Sequence, residues 1–301
     1  MDNNKEYLQK FLRQLAADNK SKKTIKTYEE NINKFFKEVG WEKLLTLDIE
    51  TMEEYKLNMI VDKKLSKSSV NLMVNSLKSF YKFLNDKKYI KENILNDIKN
   101  IKNNVQESEF LTIDECKRFL DSVENGKGKY ENRCNKVRDT LLFNLFLFSG
   151  LRLSEITNLK VSQINIDSRI IKITGKGDKP RPVPIPLKII DLFSKYMEYR
   201  KENGLEESEF LFVSSTGKPI TGSQIQKLMK KYLDLSGIIK KVSCHGLRHS
   251  FASILSSKIN ALELSKILGH TNVVTTMRYY HMSQDRAREI ADNNPLLKRV
   301  E

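Results

Sequence analysis

Cysteine is scarce in this 301-residue chain. Cys116, Cys134 and Cys244 are odd in number, widely spaced and without a CxxC pair, so neither a disulfide framework nor a cysteine zinc site is expected, and a reducing cytoplasm fits best. Long apolar runs are missing as well. The most apolar stretch, LLFNLFLF at 141–148, is far too short to span a bilayer, so no membrane association is expected. The opening residues MDNNKEYLQK hold no basic segment followed by an apolar one, which excludes a signal peptide there. The sequence also contains no P-loop pattern, no obvious carboxylate cluster for a metal and no repeat of roughly 20–50 residues. Neither a nucleotide nor a metal cofactor is expected.

Negative charge is the minority sign. The chain carries 53 Lys+Arg against 38 Asp+Glu, a formal net charge of +15, which points to a polyanionic partner, nucleic acid being the common one. The excess is not confined to one end. Up to Asn104 there are 21 Lys+Arg against 15 Asp+Glu, net +6, and the remainder is net +9.

Apolar spacing predicts a helical first part. Tyr7, Leu8, Phe11, Leu12 and Leu15 mark one helix, Ile25 to Val39 a second before Gly40, about Ile49 to Val61 a third and Ser68 to Leu84 a fourth. The polar face of the fourth and the loop before it carry Lys63, Lys64, Lys67 and Lys78, candidate phosphate contacts. Residues 99–109 lose the periodicity, so a linker at 105–109 is expected to join a unit at 1–104 to one at 110–301. In the second, Thr112 and Glu115 form a capping box ahead of a helix through Cys116 to Val123. Val137 to Phe148, apolar nearly all round, is a helix for the centre of that unit. Two strands, 169–174 and 181–185, flank a Gly-rich turn with Lys176 near its tip. Helices at 187–202 and 221–236 enclose a short strand EFLFVS, and helices follow at 245–257 and 261–268, near 273–281, and from Asp285 in the tail.

All four histidines, His245, His249, His270 and His281, fall between Cys244 and His281, together with Arg248, Arg278, Tyr279 and Tyr280. A site that grips an anion and moves protons needs such groups together. His245 and Arg248 stand at i and i+3 at a helix start, a face and a terminus suited to phosphate. The i, i+4 pair of His245 and His249 lacks the Glu of HExxH, and Arg248 is a poor neighbour for a dication, so zinc is not expected. Arg152 and Glu155 are neighbours on one helical turn, an arginine pre-oriented for bidentate grip. Lys176, on its turn, is either a solvated hairpin lysine or a proton donor that a mobile turn carries into a groove. Tyr279 and Tyr280 point about 100° apart on a helix, so at most one faces the site. Cleavage of a phosphodiester by a side-chain nucleophile needs two cationic forks, an acid for the departing oxygen and a nucleophile opposite it. A phenol, roughly 0.1% ionised at neutral pH, needs nearby positive charge and a base.

The motifs SGLRLSEI around Arg152, GKGDKPRPVPI around Lys176, HGLRHSFAS from His245, LGH ending in His270 and TTMRYYH containing Tyr279 together resemble the tyrosine recombinase, or phage integrase, family, nearest to its short Xer-type members. The resemblance covers nearly the whole chain. It implies a mainly α fold with a small β-sheet: an all-helical, SAM-like core-binding domain followed by an α+β catalytic domain with a tail that docks on a neighbouring protomer. It places the catalytic arginines at Arg152 and Arg248, the general acid at Lys176, the site histidines at His245 and His270, the acidic support at Glu155 and the nucleophile at Tyr279, with Tyr280 as the fallback. It also implies a double-stranded DNA site, a homo- or hetero-tetramer of recombinases, and chemistry without ATP or metal. Pro180 and Pro182 around Arg181 depart from the pattern and stiffen the strand; Arg181 itself is a further candidate DNA contact. No additional N-terminal arm-binding domain is matched, which argues against an integrase that needs arm sites. The competing readings are a type IB topoisomerase-like relaxing enzyme and a non-catalytic DNA-binding relative. Chromosome-dimer resolution and movement of a mobile element are both open within the family.

Overall fold

Polar side chains fix where the helices of the first half begin. A computed structural model describes residues 2–102, 109–126, 133–174, 180–269 and 273–277. Contacts divide the chain into two compact units, Met1–Gln106 and Glu107–Glu301. In the first, α1 (Asp2–Ala17), α2 (Lys22–Val39), α3 (Ile49–Val61) and α4 (Lys67–Asp86) are joined by short turns. Ser21, Asp48 and Ser66 cap α2, α3 and α4 by accepting from backbone N–H groups of the first turn, which satisfies donors the helix cannot. α4 packs against the other three, and Phe11, Phe35, Phe36, Met52, Leu77 and Phe80 close the core between them. The buried Tyr81 hydroxyl donates to the Leu44 carbonyl.

The second unit is built on α6 (Arg133–Ser149), which packs against α5 (Ile113–Asn125), α8 (Leu187–Glu202) and α10 (Cys244–Ser256). Residues 138–147 are all buried, as a helix with no polar face requires. Its buried ion pair, Arg138 with Asp139, also accepts the Tyr232 hydroxyl from α9 (Gly222–Leu235). The expected capping box of Thr112 and Glu115 opens α5. The short α7 (Leu153–Thr157) follows α6, while α11 (Ala261–Leu268) and α12 (Val274–Met277) come after α10.

The sheet has three antiparallel strands in the order β1 (Ile164–Asn165), β2 (Ile170–Thr174) and β3 (Pro180–Pro184). β3 is an edge, and its prolines at 180, 182 and 184 sit opposite Thr174, Lys172 and Ile170. Proline cannot donate to a ladder, so it is tolerated at alternate edge positions. The side chains between them, Arg181 and Val183, therefore share the other face, and Val183 is fully buried there.

One expectation needs correction. EFLFVS is not a strand: it makes only isolated bridges, Lys160 with Phe210 and Val213 with Pro219. Within it the buried Arg200 guanidinium takes the carbonyls of Phe210 and Leu211, while other backbone groups pair with separate segments, Leu159 and Val161 on one side and Lys218 and Ile220 on the other. At the expected end of the linker, the Glu109 carboxylate accepts the Lys241 backbone N–H at 2.6 Å. β1 has no counterpart among the expected strands, because two residues are too few to show alternation. The tail helix from Asp285 and residues 105–108 of the expected linker lie outside the described residues. Among the described residues no helix is long and apolar enough to cross a membrane.

Candidate active site

The site starts where α6 stops. Gly150 takes a positive φ of 59°, which an L side chain disfavours, and an added Cβ would lie 2.3 Å from the Phe251 ring. The turn aims the Gly150 carbonyl at Arg248, whose Nη1 donates to it at 2.6 Å. Nη2 of the same guanidinium donates to the Leu268 carbonyl at 2.6 Å. Both acceptors are helix ends, α6 and α11, where the partial negative charge favours a cation. Arg248, inside α10, is thereby fixed at both tips, with its side chain 2% exposed.

Arg152 stands two residues past Gly150. It is the N-cap of α7 rather than part of the helical turn, with φ −75° and ψ 153°. Glu155 reaches back to it twice: one oxygen accepts the Arg152 backbone N–H at 2.8 Å, the other Nη1 at 2.7 Å. Nη2 of Arg152 donates to the Gly269 carbonyl at 3.1 Å. Gly269 is the left-handed C-cap of α11, at φ 63°. The Arg152 side chain is 38% exposed.

Arg181 arrives at the same carboxylate from β3. Its Nη1 and Nη2 meet the two Glu155 oxygens at 2.8 and 2.9 Å, the fork-on-fork geometry of a strong charge-assisted pair. Arg248 Nη1 lies 4.0 Å from Glu155. Three guanidiniums thus surround one carboxylate, leaving two positive charges in excess among the described residues. Burial acts to raise the Glu155 carboxyl, but Arg181 and the Arg152 backbone and side chain outweigh it and hold the group below its ordinary value. Glu155 is therefore an anion that orients cations. The surplus charge is what an incoming phosphate would meet.

His245 lies on the first turn of α10, whose N-cap Ser243 accepts the Gly246 N–H. Its ring is 5.6 Å from that of His249, edge to face, and His249 in turn stacks on Phe110 at 6.3 Å. His245 is exposed while Arg248 is buried, so the two do not share an environment despite their i, i+3 spacing. Lys176, His270, Tyr279 and Tyr280 lie outside the described residues. In the chain they adjoin described ones: Lys176 lies between β2 and β3, His270 follows Gly269, and Tyr279 is two residues past the end of α12.

The four lysine candidates differ. Lys64 and Lys67 are exposed at the start of α4, Lys63 is paired with Glu38, and Lys78 is half-buried with its amine 3.4 Å from the Asn96 carbonyl. Arg181, expected among the DNA contacts, has its fork on Glu155, the proline alternation turning it to the inner face. That alternation with Val183 was the signal in the sequence. The helix-end carbonyls of Gly150, Leu268 and Gly269 had no signal beyond the glycines of SGLR and LGH.

Comparison with known proteins identifies the family. The model of the phage integrase family matches residues 109–286, and that of its N-terminal SAM-like domain matches residues 7–91. Tyrosine recombinase XerC of Thermodesulfovibrio yellowstonii is 27% identical, over all of both chains. The crystal structure of XerA recombinase aligns over 97% of this chain and 99% of its own, at 26% identity and a TM-score of 0.52. The Tn1549 transposon integrase, solved in complex with circular intermediate DNA, shares the fold at 21% identity and a TM-score of 0.75, over 95% of this chain and 98% of that one.

Proposed function

The chain belongs to the phage integrase family of tyrosine recombinases and is Xer-like, and on that premise we propose that it cuts and rejoins double-stranded DNA at a specific site through a 3′-phosphotyrosyl intermediate. Tyr279 attacks the phosphate, and the 5′ oxygen departs with a proton from Lys176. Arg152 and Arg248 hold the non-bridging oxygens, with His245 and His270 assisting proton transfer and hydrogen-bonding the phosphate. After strand exchange the free 5′-hydroxyl attacks back and releases the tyrosine. The phosphodiester energy stays in the covalent link throughout, so ATP has no part in the balance.

One observation supports this reading most: Glu155 gathers Arg152 and Arg248 at two helix ends, preorganised before any substrate arrives. Cations fixed in place before the reaction reduce the reorganisation needed as negative charge develops. The first unit serves as the core-binding domain, with Lys64 and Lys67 on phosphates and Lys63 and Lys78 behind them. The second is the catalytic domain. A homo- or hetero-tetramer on two DNA sites in the cytoplasm completes the assembly. Chromosome-dimer resolution and movement of a mobile element are the two uses this chemistry would serve.

A randomised pool of nicked duplexes tests this whatever the DNA sequence recognised. The pool is incubated with the chain, and DNA that survives denaturation attached to protein is sequenced. A recombinase yields adducts on one recurring sequence. Adducts without sequence preference, with relaxation of any plasmid, mark a topoisomerase, and binding without adduct marks a non-catalytic relative.

A further inference from the structure

Arg181 is the strongest group near the site that the proposed reaction leaves without a role. We propose that it is a positioning residue for strand cleavage, holding Glu155 from the β3 side so that the carboxylate keeps Arg152 aimed, an inference that rests on the reading above. Both Arg181 tips are on Glu155, at 2.8 and 2.9 Å, and the side chains are 12% and 8% exposed. Glu155 accepts both Arg152 bonds with the same two oxygens. Removing Arg181 would therefore leave a buried carboxylate with half its close partners.

The same arginine also touches the other support of Arg152. A Cβ on Gly269 would lie 2.7 Å from Arg181 Cδ and Nε, so the side chain passes directly beneath the residue whose carbonyl holds Arg152 Nη2. Arg181 pairs with Ile173 across the ladder, and the residues joining these two strands include Lys176. It thus ties the base of the Lys176 hairpin to the cap of α7. A lysine supplies the charge but not the planar fork.

Charged groups facing Glu155 among the described residues are Arg152 ahead of α7, Arg181 from β3 and Arg248 from α10. Arg181 provides the largest of the influences that lower the Glu155 carboxyl, against burial. Without it the carboxyl would protonate at higher pH, and a protonated carboxyl no longer accepts every bond that aims Arg152.

The test uses the full chain and a nicked duplex captured covalently by wild type from a randomised pool. Arg181→Met should slow single-turnover cleavage at saturating DNA by about 10- to 100-fold, the scale of a misaimed catalytic group, with unchanged affinity. The acid limb of its pH–rate profile should move upward. Arg181→Lys should fall between the two in rate. Should Arg181→Met fail to fold by circular dichroism, Arg181→Lys decides alone, through a slowed rate and a shifted acid limb. A variant with wild-type cleavage at saturation but weaker binding, and a salt slope smaller by about one, would make Arg181 a phosphate contact and overturn the proposal. A uniform loss of rate with an unmoved acid limb would also overturn it. If wild type captures no duplex, the recombinase reading itself fails and this inference falls with it, a result distinct from wild-type cleavage that the variants equal.

Discussion

At the scale of single residues, Glu155 decides most. Replacing it by Gln removes the only close anion from Arg152 and Arg181 among the described residues. Losing one partner of a buried ion pair costs about 3–5 kcal/mol; since Arg152 is over a third exposed, Glu155→Gln should fall toward the lower end, read as a lower denaturant midpoint. The pH dependence follows from a carboxyl held below its ordinary value of 4.5. The stability it contributes is fully present above that value and is lost as pH falls through the lower folded-state value. The gap in Tm between wild type and Glu155→Gln should therefore be constant near neutrality and close in acid; a gap that persists there would contradict the assignment. Arg152 and Arg248, by comparison with oxyanion-hole donors, should each cost about 3–4 kcal/mol of transition-state stabilisation when truncated, measured as the single-turnover cleavage rate. Burial pushes the Cys116 and Cys244 thiols up to about 11, so both should resist alkylation in the native chain at pH 8 and react once it is unfolded. The Arg152–Glu155 pair is legible from spacing, although not as a cap. The place of Arg181 is signalled only by its alternation with Val183 among the prolines, because a charged residue in a strand looks solvated until register shows which face it occupies.

At the scale of elements, the site is made by how helices end. Gly150 and Gly269 both take the left-handed conformation and turn carbonyls toward the arginines. Gly269→Ala should cost about 1–2 kcal/mol in backbone strain and displace Arg181, slowing cleavage as well. Gly204 provides the control: its φ is 64° and nothing lies within 4 Å of an added Cβ. Gly204→Ala should match the strain cost in thermal unfolding and spare cleavage. Equal effects of the two on cleavage would deny the glycine its role under the site. Among the described residues, amphipathic helices are legible because burial of one face imposes a period. EFLFVS misleads for a physical reason: its centre is buried as in a strand, but its backbone is shared between the Arg200 side chain of α8 and short bridges to separate segments. Periodicity reports burial and is silent on which group donates to the buried carbonyls.

At the scale of the whole molecule, charge and family set the expectations. A net charge of +15 spread over both halves predicts DNA affinity that falls steeply with salt as counterions are released. Lys64→Ala and Lys67→Ala should each weaken binding and reduce the salt slope by about one, while Lys63→Ala should do less because Glu38 already neutralises that amine. Filter binding across a salt series distinguishes them. The class of chemistry is legible because five motifs recur in order along the chain. The DNA sequence recognised is not, since base readout depends on side chains placed against a groove. The most direct measurement of the central claim is covalent capture of a nicked duplex by wild type and by Tyr279→Phe, read on a denaturing gel. The account predicts a protein–DNA adduct for wild type and none for Tyr279→Phe, with both binding the duplex alike; an adduct that survives the substitution would move the nucleophile away from Tyr279 and contradict it.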